Sequence, residues 1–146
     1  MLIFIGIVVS LTVAFSFATA GIAMLPRWAF YPGIILMVAG IAFRQWAIAV
    51  LGRFFSMAIK VQKDQTVVDT GPYRYMRHPS YTGLLIIFVG LGLALHSWGA
   101  VLVLALMFAI VWGYCIHVEE RALISQLGEA YLAYSRRTKR LIPYLL

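Results

Sequence analysis

The stretch MLIFIGIVVSLTVAFSFATAGIAML, residues 1–25, contains no charged side chain and is long enough to cross a bilayer as a helix. The rest of the chain is similarly apolar: of its 146 residues, 63% are hydrophobic and 12% are charged, and the mean hydropathy is +0.92. A soluble domain carries about 25% charged residues. The composition therefore predicts an all-α integral membrane protein whose residues 1–146 form one membrane domain.

A cleaved signal peptide is the alternative interpretation of the first segment. Ala18-Thr19-Ala20 resembles a small-residue cleavage site, but no Lys or Arg precedes the apolar run. These features favour a first transmembrane helix.

Four apolar segments are predicted to cross the membrane. Pro26 ends the first, Pro79 suits the first turn of the third, and a tight turn at 96–99 precedes the fourth. The tail has apolar residues at helical spacing and a break at Gly128. The predicted spans are about 2–24, 29–51, 79–95 and 100–118, with a polar loop at 53–78 and an amphipathic tail at 119–146.

Basic residues predict the orientation. The 53–78 loop and the 119–146 tail hold five Lys or Arg residues each, whereas the other two connections share only Arg27. Because basic loops stay cytoplasmic, four spans place the loop, the tail and the N-terminus in the cytoplasm, whereas three or five spans would separate the two basic regions. The expected location is a prokaryotic cell membrane. The net charge of +7 favours anionic lipids rather than nucleic acid as partners.

The run GPYRYMRHPSYTG, residues 71–83, holds the side chains best suited to ligand binding. It crowds three tyrosines, two arginines and His78 between apolar segments. An interfacial aromatic belt with basic residues is the simpler interpretation. That interpretation does not explain why these side chains lie beside two glycines and two prolines.

Glu119 and Glu120 stand where the fourth span leaves the membrane. Adjacent carboxylates repel each other, so basic groups from the 71–83 run or a cationic ligand are their expected partners. A solvated helix end with an ion pair to Arg121 or to a loop arginine is the simpler interpretation of these two residues. Arg44, inside the second span, either closes an internal hydrogen-bond network or contributes to a site.

The pattern also limits the kind of site. His78 and His96 have no metal-ligand partners at useful spacing, and Cys115 is the single cysteine, so we expect no metal site. Cationic donors, aromatic faces and carboxylates together suit a zwitterionic aromatic ligand such as S-adenosylmethionine. Its adenine can stack on tyrosine, its carboxylate can pair with arginine, and its amino group with a glutamate.

Residues 71–83, followed by EERALISQLGEAYLAYSRRTKRLIP at 119–143, resemble the isoprenylcysteine carboxyl methyltransferase and phospholipid methyltransferase family. Residues 40–56 are similar to the helix that precedes this loop in the family. The resemblance implies an integral-membrane enzyme that uses S-adenosylmethionine. It also implies methyl transfer to a lipophilic or lipidated acceptor, most like isoprenylcysteine carboxyl methylation.

The resemblance also implies particular site residues. The cofactor contacts that it implies by matching position are Gln62, Gln65, Thr66, Val67, Val68, Tyr73, His78, Pro79, Ser80, Tyr81 and Glu119. Among the candidate catalytic residues, Arg77, Arg140 or Arg44 would orient an acceptor carboxylate, and Glu120 would instead orient or deprotonate an amine. Cys115 stands where the eukaryotic prenylcysteine enzymes carry an arginine that is linked to the substrate, so the acceptor stays open.

Four other hypotheses stay open. A phospholipid amine N-methyltransferase would use the same donor. A sterol or enone reductase that uses NADPH has a similar RHPxY string, but the tail lacks the Cys and Trp signals of that group. A small four-helix exporter carries an acidic residue in its first span, and residues 1–25 contain none. A structural membrane subunit would bind no small ligand.

Overall fold

The computed structural model describes residues 2–55 and 66–142, and its regular elements within these ranges are helices. The all-α prediction is therefore confirmed for the described residues. The α-helices are α1 (Leu2–Thr19), α2 (Phe30–Leu51), α3 (Pro79–Ala94), α4 (Trp98–Leu127) and α5 (Glu129–Arg137), and three short 3-10 helices cover Arg27–Ala29, Gly52–Phe54 and Gly71–Arg74.

Two helical segments are long and apolar enough to cross a membrane, judged by length and composition. They are Arg27–Phe54 and Trp98–Leu127, whereas Phe4–Thr19 and Pro79–Ala94 are shorter apolar helices. The predicted count of four spans therefore stays a prediction. The first apolar helix is also shorter than the predicted span 2–24, because α1 ends at Thr19 and the chain turns at Gly21 and Ala23, both with positive φ.

The chain divides into two compact units. The first comprises Met1–Ala42 and Gly83–Gly113, and the second comprises Phe43–Thr82 and Tyr114–Leu146. The predicted site residues from Thr66 onward all belong to the second unit.

Close backbone contact between α2 and α3 organises the first unit. A Cβ atom added to Gly33 would lie 2.5 Å from the Ala94 nitrogen, and one added to Gly40 would lie 2.8 Å from the Gly83 oxygen. Such distances exclude a side chain at either glycine. Small residues at helix interfaces allow this close approach in membrane proteins.

The predicted turn before α4 is present. His96 has a φ of 55°, and its carbonyl accepts a hydrogen bond from the Leu25 nitrogen at 2.6 Å. The buried Ser97 hydroxyl donates to the Ile22 carbonyl at 2.9 Å. These bonds hold the segment after α1 against the turn, which satisfies backbone groups that no helix pairs.

The tail of the second unit is paired with the segment that precedes α3. The Arg77 nitrogen donates to the Lys139 carbonyl at 2.7 Å, and the His78 nitrogen donates to the Arg140 carbonyl at 3.0 Å. Gly128, with a φ of 53°, separates α4 from α5 and directs the tail toward this pairing. The break predicted at Gly128 is therefore present, and its positive φ is one that glycine adopts without steric strain.

Candidate active site

Glu120 is the centre of a buried charged cluster in the second unit. Its side chain is 10% exposed. One oxygen, Oε1, accepts a hydrogen bond from Arg77 Nε at 2.8 Å and lies 3.4 Å from His78 Nε2. The other, Oε2, lies 3.1 Å from both Nε and Nη2 of Arg140. The predicted pairing with a loop arginine is therefore present for Glu120.

The surroundings of Glu120 fix its charge. Burial by itself raises the pKa of this carboxyl group, but hydrogen bonds from His78 and Arg77, together with their charges, outweigh burial and lower the pKa to about 2. Glu120 therefore stays ionised throughout the neutral range. A carboxylate with so low a pKa accepts a proton weakly, which favours a positioning role for Glu120.

Arg77 connects the loop to the end of α5. Its Nη1 donates to the carbonyl of Ser135 at 2.8 Å and to the carbonyl of Thr138. Ser135 lies in the last turn of α5 and Thr138 directly follows the helix, so neither carbonyl has a partner within the helix itself. The Arg77 side chain is 10% exposed. Its guanidinium group therefore provides hydrogen bonds both to carbonyls at the end of α5 and to the Glu120 carboxylate.

Glu119 differs from its neighbour because it stays accessible. Its side chain is 34% exposed, and its Oε2 accepts a hydrogen bond from the Tyr81 hydroxyl at 3.1 Å and lies 3.8 Å from His78 Nδ1. Within 2–55 and 66–142, no hydrogen bond to Glu119 Oε1 is present. This carboxylate can therefore accept hydrogen bonds from a ligand without giving up a protein contact.

The other predicted cofactor contacts differ in their exposure. Tyr73 is buried, Thr66 is exposed, and Val67 and Val68 are half-buried. Gln62 and Gln65 lie outside the described residues. The cluster therefore unites His78, Tyr81 and Glu119, and it adds Glu120, Arg77 and Arg140 from the catalytic candidates.

Pro79 and Ser80 act through packing and backbone. Pro79 is fully buried at the first position of α3. The Ser80 carbonyl accepts a hydrogen bond from Arg44 Nη1 at 3.0 Å. Arg44 therefore supports the start of α3, as in the internal network that the sequence suggested.

Sequence reasoning did not single out two tyrosines of α5 as site residues. The Tyr134 hydroxyl is buried and donates to the Tyr73 carbonyl at 2.7 Å, and it lies 3.4 Å from the Met76 carbonyl. The Tyr131 hydroxyl is buried without a hydrogen-bond partner in the described part of the chain. Their spacing after Gly128, G-x-x-Y-x-x-Y, was the available signal, and it contributed to the predicted amphipathic helix and to the family resemblance without indicating a site role for either tyrosine.

Removing the Tyr134 hydroxyl should lower stability. Burial raises the pKa of Tyr134 to about 12, so the phenol stays protonated and remains a hydrogen-bond donor. The change Tyr134→Phe removes this donor from the Tyr73 carbonyl. We expect a loss of about 1–3 kcal/mol in the free energy of unfolding, measured by denaturant titration in detergent. Tyr131→Phe is the matched control, because it removes a buried hydroxyl that has no hydrogen-bond partner among the described residues. Equal losses in the two variants would contradict this account.

Three comparisons bear on the family. Residues 33–125 match the model of the isoprenylcysteine carboxyl methyltransferase (ICMT) family. The chain is 37% identical over 100 residues to the cobalt-zinc-cadmium resistance protein CzcN of Cupriavidus metallidurans, which covers 68% of this chain and 46% of that protein. It is 33% identical over 119 residues to protein-S-isoprenylcysteine O-methyltransferase B of Arabidopsis thaliana, which covers 77% of this chain and 58% of that protein.

The fold resembles a solved structure as well. Superposition on the eukaryotic intramembrane Ras methyltransferase ICMT gives a TM-score of 0.80 at 25% sequence identity. The match covers 97% of this chain and 52% of that one. The chain therefore spans about half the length of the relatives it matches.

Proposed function

Because the chain belongs to the isoprenylcysteine carboxyl methyltransferase family, we propose that it transfers the methyl group of S-adenosylmethionine to a carboxylate on a lipophilic acceptor. The observation that carries the proposal is the asymmetry of the acidic pair. Glu119 is accessible, and its Oε1 accepts no hydrogen bond from the described residues. Glu120, in contrast, is buried among cationic groups.

Glu119 suits the amino end of the methyl donor. An ammonium group needs hydrogen-bond acceptors, and Glu119 presents a carboxylate that Tyr81 already orients. When bound, S-adenosylmethionine supplies an electrophilic methyl group. The chain's task is to hold and align that donor beside the acceptor and to exclude water. We infer that Tyr73, Pro79, Ser80 and residues 66–68 enclose the donor, and that Gln62 and Gln65 add contacts.

The charges around Glu120 favour a carboxylate acceptor over an amine. A carboxylate is already a nucleophile at neutral pH, whereas an ammonium group must first lose a proton to a base. Glu120, with its pKa lowered to about 2 and both of its oxygens engaged, is a poor base. Phospholipid amine N-methylation therefore receives less support than carboxyl methylation.

Arg140 is the residue that we propose for orienting the acceptor carboxylate. Its side chain is 57% exposed, and a guanidinium group has five N–H donors, of which Arg140 directs Nε and Nη2 toward Glu120. Arg77, largely buried, contributes by fixing Glu120 and the end of α5. Cys115 is buried in α4 and carries no charge to share this task.

The acceptor class follows from the relatives' names and the membrane setting. Several relatives are named protein-S-isoprenylcysteine O-methyltransferases, so we propose a carboxylate next to an S-prenylated cysteine, presented from the bilayer. We also propose four spans with both termini in the cytoplasm of a prokaryotic cell. That arrangement would put the loop and the tail on one side of the membrane.

The proposal predicts a base-labile methyl ester as the product. Purified full-length protein is incubated with methyl-labelled S-adenosylmethionine and a short S-prenylated cysteine acid, and the label should enter the acceptor. The matched carboxamide of the same compound should take up none, because its oxygen is uncharged and is a far weaker nucleophile than a carboxylate oxygen. Label in the amine of phosphatidylethanolamine would support N-methylation instead, and consumption of NADPH with an enone would support the reductase.

A further inference from the structure

A basic pocket lies at the end of α5. It has a volume of about 290 Å³ and is lined by Arg77 and residues 135–140. Five of these seven lining residues are Lys or Arg, including Arg136, Arg137 and Lys139. Because most of the lining side chains are cationic, the pocket is suited to binding an anion.

The cations of this pocket outnumber their acidic partners. Glu120 pairs with Arg77 and Arg140, and Asp69 pairs with Arg137 at 2.7 Å. Arg136 and Lys139 are both exposed, and no carboxylate among residues 2–55 and 66–142 forms an ion pair with them. Five cations against two carboxylates leave three positive charges that this part of the chain does not neutralise.

Backbone hydrogen bonds connect the pocket to the residues that immediately precede α3. The Lys139 nitrogen donates to the Tyr75 carbonyl at 3.2 Å, and the Lys139 and Arg140 carbonyls accept from Arg77 and His78. These partners immediately precede Pro79, where the apolar helix α3 begins. If α3 enters the bilayer at Pro79, the pocket lies at the level of the lipid headgroups.

We propose that this pocket binds the phosphate of an anionic phospholipid headgroup, with Arg136 and Lys139 as the phosphate contacts. Clustered Lys and Arg side chains next to a membrane helix recognise anionic headgroups, and guanidinium groups bind phosphate oxygens through charge-assisted hydrogen bonds. Arg77 and Arg140 also line the pocket, but Glu120 engages them. The proposal does not depend on methyl transfer.

The test measures lipid binding in the absence of any methyl donor. Full-length protein in a neutral detergent is titrated with short-chain phosphatidylglycerol at fixed ionic strength, and bound lipid is counted by native mass spectrometry. We expect saturable binding that Arg136→Gln/Lys139→Gln weakens about 30-fold, since each cation near the surface contributes about 1 kcal/mol, or about a factor of five. Arg136→Lys/Lys139→Arg keeps the charges and should restore binding.

Arg74→Gln/Arg121→Gln is the charge-matched control, because both side chains are exposed and neither lines the pocket. This control should bind phosphatidylglycerol as the unmodified protein does, and equal weakening in both double variants would overturn the proposal. Equal binding of short-chain phosphatidylcholine would also overturn it, because the pocket would then not select anionic lipid. If inorganic phosphate displaces phosphatidylglycerol at a concentration similar to that of the lipid, the pocket binds a free anion rather than a lipid headgroup.

Discussion

Arg77→Ala is expected to destabilise the second unit by about 3–5 kcal/mol. The change leaves the buried Glu120 carboxylate without its closest cation, and removing one partner of a buried ion pair leaves an uncompensated charge. It also removes the donor that Nη1 provides to the Ser135 and Thr138 carbonyls. The free energy of unfolding, measured by denaturant titration in detergent, checks the expectation.

Two further variants separate charge pairing from other causes. Arg74→Ala removes an exposed arginine from the same loop and should cost little. Arg77→Ala/Glu120→Ala removes both partners, so its destabilisation should be smaller than the sum of the two single changes. Additive losses, or a loss for Arg77→Ala no larger than that for Arg74→Ala, would refute the proposed contribution of the pair.

Glu119→Ala is expected to weaken S-adenosylmethionine binding about 100-fold, measured by calorimetry in detergent. A hydrogen bond to a charged group contributes up to about 3 kcal/mol, which corresponds to about that factor. The fold should change little, because the side chain is 34% exposed and its one hydrogen-bond partner in the described ranges is the Tyr81 hydroxyl. The midpoint of thermal unfolding should therefore stay close to that of the unmodified protein.

The matched control for this change is Glu129→Ala, which removes an exposed carboxylate from the first turn of α5. It should leave the affinity unchanged. Glu119→Gln should fall between the two, since the amide oxygen still accepts a hydrogen bond but carries no charge. If Glu119→Ala binds S-adenosylmethionine with unchanged affinity, Glu119 is not part of the donor site. That result would not affect the ion pairs of Glu120 with Arg77 and Arg140.

Local sequence signals predicted the helical elements well. The turn at His96 and the break at Gly128 are encoded by a few adjacent residues, and both are present. The end of α1 was predicted five residues late, at 24, because hydropathy stays high through Gly21 and Ala23 while their backbone leaves the helix. Hydropathy reports where a segment prefers to lie, and backbone conformation reports where a helix ends.

The contacts of the candidate site were less predictable. The sequence suggested that the acidic pair meets a loop arginine, because adjacent carboxylates need cationic partners, and Arg77 fulfils this for Glu120. It did not indicate which of the two glutamates would be buried. It also gave no sign that Arg77 binds the carbonyls of Ser135 and Thr138, since those partners lie 58 and 61 residues away and backbone carbonyls carry no sequence signature.

The pairing of residues 75–78 with 139–140 has a consequence for biosynthesis. In the proposed four-span arrangement, α1 to α3 enter the membrane as they leave the ribosome, but Arg77 and His78 obtain their backbone partners only after Arg140 has been translated. In that arrangement the cluster around Glu120 forms after most of the chain has been inserted. A chain truncated before residue 138 would lack the carbonyls of Thr138, Lys139 and Arg140, which Arg77 and His78 bind.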